Sequence, residues 1–144
     1  MIAIDTNVLL RYLLWDDVEQ AKLADKLINA QKQVLITDIV LVEAIWTLKG
    51  KKYKLNKEGI VSMVSALFEE KNMCFENPQV IWYTLNDYIN AKMIKDGGKN
   101  NHTDFSDALI VNKAKYYALQ NKIELEGVYT FDKAAQELDG MKSP

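Results

Sequence analysis

Apolar residues fall along this chain in two patterns, short solid runs and longer helical stripes, and the two alternate. The run Met1 to Ile4 is too short for a helix and reads as a buried strand. Val8, Leu9, Leu10, Tyr12, Leu13 and Leu14 crowd too closely for strand alternation and suit a largely buried helix. Asp16 or Asp17 then caps a second helix through "VEQAKLADKLINA", where Val18, Ala21, Leu23, Ala24, Leu27 and Ile28 make an apolar face. "QVLIT" is a second strand, Thr37 or Asp38 opens a helix across "IVLVEAIWTLK", and Gly50 lies near its end. Asn56 caps another helix through Phe68, and "MCF" is a third short strand. Asn77 and Pro78 start a long helix, since proline suits a first helical turn, and the pattern continues to about Lys95 before Gly97-Gly98 stop it. The polar loop "DGGKNNHT" leads to a helix from about Asp104 to Gln120, then to the strand "GVYTF" and a short last helix after Asp132. Short strands alternating with helices predict an α/β sandwich with a mostly parallel sheet, whose binding site lies beyond the carboxyl ends of its strands.

The 144 residues, 49% hydrophobic and 26% charged, predict one domain, residues 1–144, with a packed core. There is no internal repeat and no low-complexity tract. No apolar segment approaches the roughly 20 residues of a membrane span, and the start lacks the basic flank and long apolar region of a secretory signal, so the expected location is cytoplasmic. Cys74 is the single cysteine and reads as a buried strand thiol. A net charge of −2 means that any nucleic-acid affinity must come from local basic surface. In "LKGKKYKL", Lys49, Lys51, Lys52 and Lys54 surround Tyr53 and offer phosphate contacts beside a ring, although lysines at a helix C-terminus also complement its dipole.

Several carboxylates sit where packing alone gives them little reason to be. Asp5 follows the first strand and Asp132 follows the last, so both project toward one edge if the strands are central and parallel; aspartate is also a good helix cap, and Asp5, Thr6 and Asn7 all qualify. Glu43 is the sole charge in "IVLVEAIWTL", with Ile39, Val40, Trp46 and Thr47 at helical-neighbour spacing and no basic partner among them. Buried glutamates need partners, and a cation serves unless the residue lies on a narrow exposed stripe. Asp104 and Asp107 are three residues apart and share a helix face, or else form a capping box. If Asp5, Glu43, Asp107 and Asp132 converge, their repulsion must be offset by protons or cations. Oxygen-only ligands favour Mg²⁺ or Mn²⁺, and such a centre can activate water and steady charge on a phosphoryl group, which makes phosphodiester hydrolysis the natural reaction.

"IDTNVLLRYL", Glu43 in its apolar helix, "DFSDALI" and "YTFD" together resemble the PIN-domain family, especially VapC-type toxins of toxin–antitoxin pairs, in order and spacing over nearly the whole chain. The resemblance implies a three-layer sandwich with a mostly parallel central sheet flanked by helices. It implies a Mg²⁺- or Mn²⁺-dependent endoribonuclease, usually a homodimer, restrained by a VapB-like antitoxin whose tail reaches the acidic site. Asp5, Glu43, Asp107 and Asp132 take the places of the four acids that bind metal and catalyse, with Thr6, Asn7 and Thr130 as polar supports and Asp104 as an auxiliary acid. Arg11, Lys51 and Lys52 are the basic residues available to RNA. His102 reads as a solvated loop residue rather than a base.

Other functions place an aspartate after a first strand. Aspartyl phosphatases need a second aspartate two residues on, where this chain has Asn7, and receivers need a preceding acidic pair and a strand-end lysine. Neither pattern is present. A noncatalytic nucleic-acid-binding or scaffold domain of the same fold is the alternative, and four intact acids weigh against it.

Overall fold

A computed structural model describes all residues from Met1 to Pro144, in two compact units, Met1–Pro78 and Gln79–Pro144. In the first unit, β1 (Ile2–Ala3), β2 (Val34–Ile36) and β3 (Met73–Phe75) form a parallel sheet in the order β1-β2-β3. Helices connect the strands: α1 (Thr6–Leu14) and α2 (Val18–Asn29) cross from β1 to β2, and α3 (Asp38–Lys49) and α4 (Lys57–Glu69) cross from β2 to β3. Val34 and Ile36 of the central strand are fully buried, and Ile4, Leu9, Ile28, Leu41, Leu48 and Val64 supply further core. Phe68 packs on Phe75 with ring centroids 4.7 Å apart.

The helix starts are those the cap residues predict. Asp17 rather than Asp16 caps α2, accepting the Gln20 amide at 3.0 Å, and Asn56 caps α4 through the Gly59 amide at 2.9 Å. Helix α1 ends at Trp15, whose left-handed backbone (φ 53°) turns the chain sharply into Asp16 and Asp17.

In the second unit, α5 (Pro78–Asn90) is followed by an antiparallel hairpin of β4 (Ile94–Asp96) and β5 (Lys99–Asn101), then α6 (Phe105–Asn121). The predicted continuation of α5 to Lys95 is therefore wrong by one strand, and "DGGKNNHT" is mostly hairpin rather than loop. Gly97 and Gly98, at φ 57° and 77°, form the two-residue reversal that right-twisted antiparallel strands require, so the glycines turn a strand instead of stopping a helix. Strand β6 (Val128–Tyr129) pairs in parallel with β7 (Met141–Lys142), which the sequence pattern did not predict, and the last helix is one 3₁₀ turn, Ala135–Glu137. Strand β1 belongs to the ladder with β2 and β3, and β6 to the ladder with β7. Tyr88 and Phe105 meet edge to face at 5.7 Å.

Thr84 lies fully buried on α5, and its hydroxyl finds no hydrogen-bond partner. A buried hydroxyl left unmatched costs about 1–3 kcal/mol, whereas a methyl of the same shape costs nothing in desolvation. Thr84→Val is therefore expected to raise stability by about 1 kcal/mol, measured by urea unfolding; a lower midpoint at unchanged slope would contradict the unsatisfied hydroxyl.

Candidate active site

In the first unit, the candidate residues cluster around the start of α1. Asp5 caps that helix, with Oδ1 accepting the Val8 amide at 2.9 Å, and its side chain lies at the surface. The capping role and an outward-facing carboxylate coexist, because the cap uses one of two oxygens. Thr6, the next residue, donates its hydroxyl to Glu43 Oε2 at 2.6 Å. That bond ties the middle of α3 to the first turn of α1 across 37 residues of sequence. Asn7 is exposed and borders a shallow apolar groove with Val8, Leu23 and Leu27.

Glu43 is exposed, so of the two readings of its helix it is the exposed stripe that the structure shows. Val40, Leu41, Ala44, Ile45 and Leu48 face inward, while Ile39, Glu43 and Trp46 share an outer stripe, with Ile39 67% and Trp46 59% exposed. The stripe is apolar in composition, so the sequence pattern could not distinguish it from core. Glu43 takes a threonine hydroxyl as its partner there.

The basic residues are less available than their composition promises. The Arg11 guanidinium binds Asp16 and also donates to Gln20 Oε1 at 2.8 Å. Tyr53 donates its hydroxyl to Asp16 Oδ2 at 2.6 Å, and Lys52 Nζ stands 3.6 Å from the same oxygen. The Tyr53 hydroxyl and then the Arg11 guanidinium hold the Asp16 carboxyl at about 2, below its ordinary 3.8. Asp16 thus offsets two of the cations considered for RNA and fastens the segment after α3 to the turn after α1, while Lys51 stays exposed.

In the second unit, Asp104 caps α6 and forms a capping box with Asp107, whose Oδ2 accepts the Asp104 amide at 2.9 Å. Asp132 is exposed, and its Oδ1 accepts the amides of Ala134 at 2.8 Å and Ala135 at 3.2 Å. Thr130 supports it directly, its hydroxyl accepting the Asp132 amide at 3.1 Å. Thr103, buried beside Asp104, donates to the Ala134 carbonyl at 2.9 Å and so pins the start of α6 to the segment carrying Asp132. His102 is exposed. Two supports were not foreseen: Asn101, whose amide reaches Asp132 Oδ1 at 3.4 Å, and Gln136, which donates to the Thr130 carbonyl at 2.8 Å. The Gly-Gly turn was the available signal for Asn101, because a hairpin returns that residue beside Ile94.

A family model of the PIN domain matches residues 2–141. The chain belongs to the PIN domain family. PIN domains are in general nucleases that bind nucleic acid and typically use divalent metals. No curated protein matches the chain. In this PIN domain the donor chemistry suits a hard cation: Asp5, Glu43 and Asp132 each engage one carboxylate oxygen in the hydrogen bonds above and retain the other. Within neither unit do three acidic, histidine or cysteine side chains gather about one point. No helix is long and apolar enough to cross a membrane.

The Asp16 network generates a pH signature. Its folded-state acidity lies below the unfolded value, so its contribution is present above about pH 4 and fades as pH falls toward 2. Asp16→Asn should lower Tm near pH 6, and the difference from wild type should close by about pH 2. A constant difference across that range would mean that the carboxylate's charge is not what holds the network.

Proposed function

We propose that this PIN domain is a divalent-metal-dependent endoribonuclease in which Asp5, Glu43, Asp107 and Asp132 act together across residues 1–144 as a single domain. The observation that carries the reading is the Thr6–Glu43 hydrogen bond, which joins the motif of the first acid to the second acid over a long sequence distance. Bound Mg²⁺ or Mn²⁺ supplies charge neutralisation at the scissile phosphate and acidifies a water for attack. Asp5, Glu43, Asp107 and Asp132 would hold that cation through carboxylate oxygens. Thr6 orients Glu43, Thr130 and the α6 capping box orient Asp132 and Asp107, and Asn7 and Asp104 assist from neighbouring positions.

The closer reading is a VapC-type toxin, cytoplasmic, homodimeric and held by a VapB-like antitoxin. The motif resemblance supports it. An exposed Trp46 on the outer face of α3 offers apolar surface to a second copy, whereas Leu9 and Leu48 are consumed by the core.

Purified protein should cleave RNA in Mg²⁺ or Mn²⁺, stop with chelator, and leave no 2′,3′-cyclic phosphate, since that end reports attack by the substrate's own hydroxyl. Asp5→Asn and Asp107→Asn should each slow cleavage about 100-fold or more. Both should melt near wild type, because an asparagine oxygen still accepts the backbone amide at each helix start. Asp104→Asn should retain measurable activity. Metal-independent cleavage, or RNA binding with no cleavage by wild type, would replace the nuclease reading with the noncatalytic one.

A further inference from the structure

We propose that the β4–β5 hairpin is a substrate-gripping arm, in which Lys99 contacts the sugar-phosphate backbone of single-stranded RNA beside Asp132; the proposal rests on the nuclease reading above. The hairpin has no place in the core. Its strands are three residues each, Ile94 is only half-buried, and Lys95, Lys99 and Asn100 are exposed. A two-stranded hairpin that buries so little apolar surface is marginal by itself, and here it is held by polar ties. Asp96 Oδ1 pairs with Lys133 Nζ at 3.0 Å, and the Asn101 amide reaches Asp132 Oδ1 at 3.4 Å. Both ties end on consecutive residues of the segment that carries the fourth acid.

The register decides which lysine faces that segment. Asp96 lies opposite Lys99 and Ile94 opposite Asn101, so these four side chains share the tied face. Lys95 lies opposite Asn100, and that pair points the other way. Lys99 forms no ion pair, because its cross-strand neighbour Asp96 is taken by Lys133. The geometry therefore leaves one unneutralised ammonium on the face turned to Asp132. A lysine is a flexible point charge suited to a phosphate oxygen. Arg11 and Lys52, by contrast, have Asp16 as counter-ion. In a chain of net charge −2, an uncommitted lysine at this position is the kind of local cation that a phosphate backbone needs.

Lys99→Ala and Lys95→Ala remove the same charge from opposite faces of one hairpin, which makes each the control for the other. Binding of a fluorescein-labelled uridine-rich RNA of about 12 nucleotides is measured by anisotropy in Mg²⁺, in an Asp107→Asn background so that the probe stays intact. Lys99→Ala should raise Kd about fivefold and lessen the salt dependence by about 0.7 of a logarithmic unit, the loss of one phosphate contact. Lys99→Arg should restore most of the affinity, and Lys95→Ala should change Kd less than twofold. In the cleaving protein Lys99→Ala should raise KM and leave kcat. Equal effects of the two alanines, or none from Lys99→Ala, overturn the proposal while wild-type cleavage keeps the nuclease reading intact. If wild type fails to cleave but the two lysines still differ, the nuclease reading falls and the hairpin contact stands. No binding by the Asp107→Asn protein carrying both lysines overturns the contact outright.

Discussion

A carboxylate at or near the surface keeps a fixed direction only if something holds it, and in this PIN domain the holder is a backbone N–H at a helix start or in the turn that follows a strand. Asp5 accepts the amide of Val8, Asp107 that of Asp104, and Asp132 those of Ala134 and Ala135. The same contact serves the fold and the candidate chemistry. It satisfies donors that would otherwise face water or apolar surroundings, and in Asp5 and Asp132 it fixes one oxygen so that the other has a defined direction. Glu43, in mid-helix, has no free amide to accept and uses the Thr6 hydroxyl.

Helix capping and catalysis are accordingly not rival explanations of these acids. A carboxylate has two oxygens and several lone pairs, and a cap consumes little of that capacity. Asparagine at such a position keeps the acceptor and loses the charge, so stability and chemistry can be separated by one substitution. Alanine cannot make that separation, because it removes cap and charge together.

Much of this organisation is legible from local patterns. Cap residues and Pro78 mark helix starts because they act on amides only a few positions away, and β2 and β3 are visible as short apolar runs. The features that were misread depend on distant partners or on the direction of a face. Glu43 looked buried because Ile39 and Trp46, its companions on the outer stripe, are apolar. The hairpin has no alternating apolar pattern, since Lys95, Lys99 and Asn100 bury nothing. Strand β7 exists as a partner for β6, and two residues carry no period of their own. Lys52 looked available because its counter-ion, Asp16, lies far back along the chain.

The Gly97-Gly98 turn separates two reasons for which a position can require glycine. A side-chain carbon added at either position would meet nothing within 4 Å, so the requirement is handedness, not room. Both backbones have positive φ, which an L-residue adopts at a cost and a D-residue adopts readily. Mirror-image alanine at the tip would satisfy the turn while removing conformational freedom from the unfolded chain, a gain of about 0.4–1 kcal/mol. The arm's tip is thus limited in chirality and open in bulk, a place where chemical synthesis could stiffen the molecule in a way the genetic code cannot.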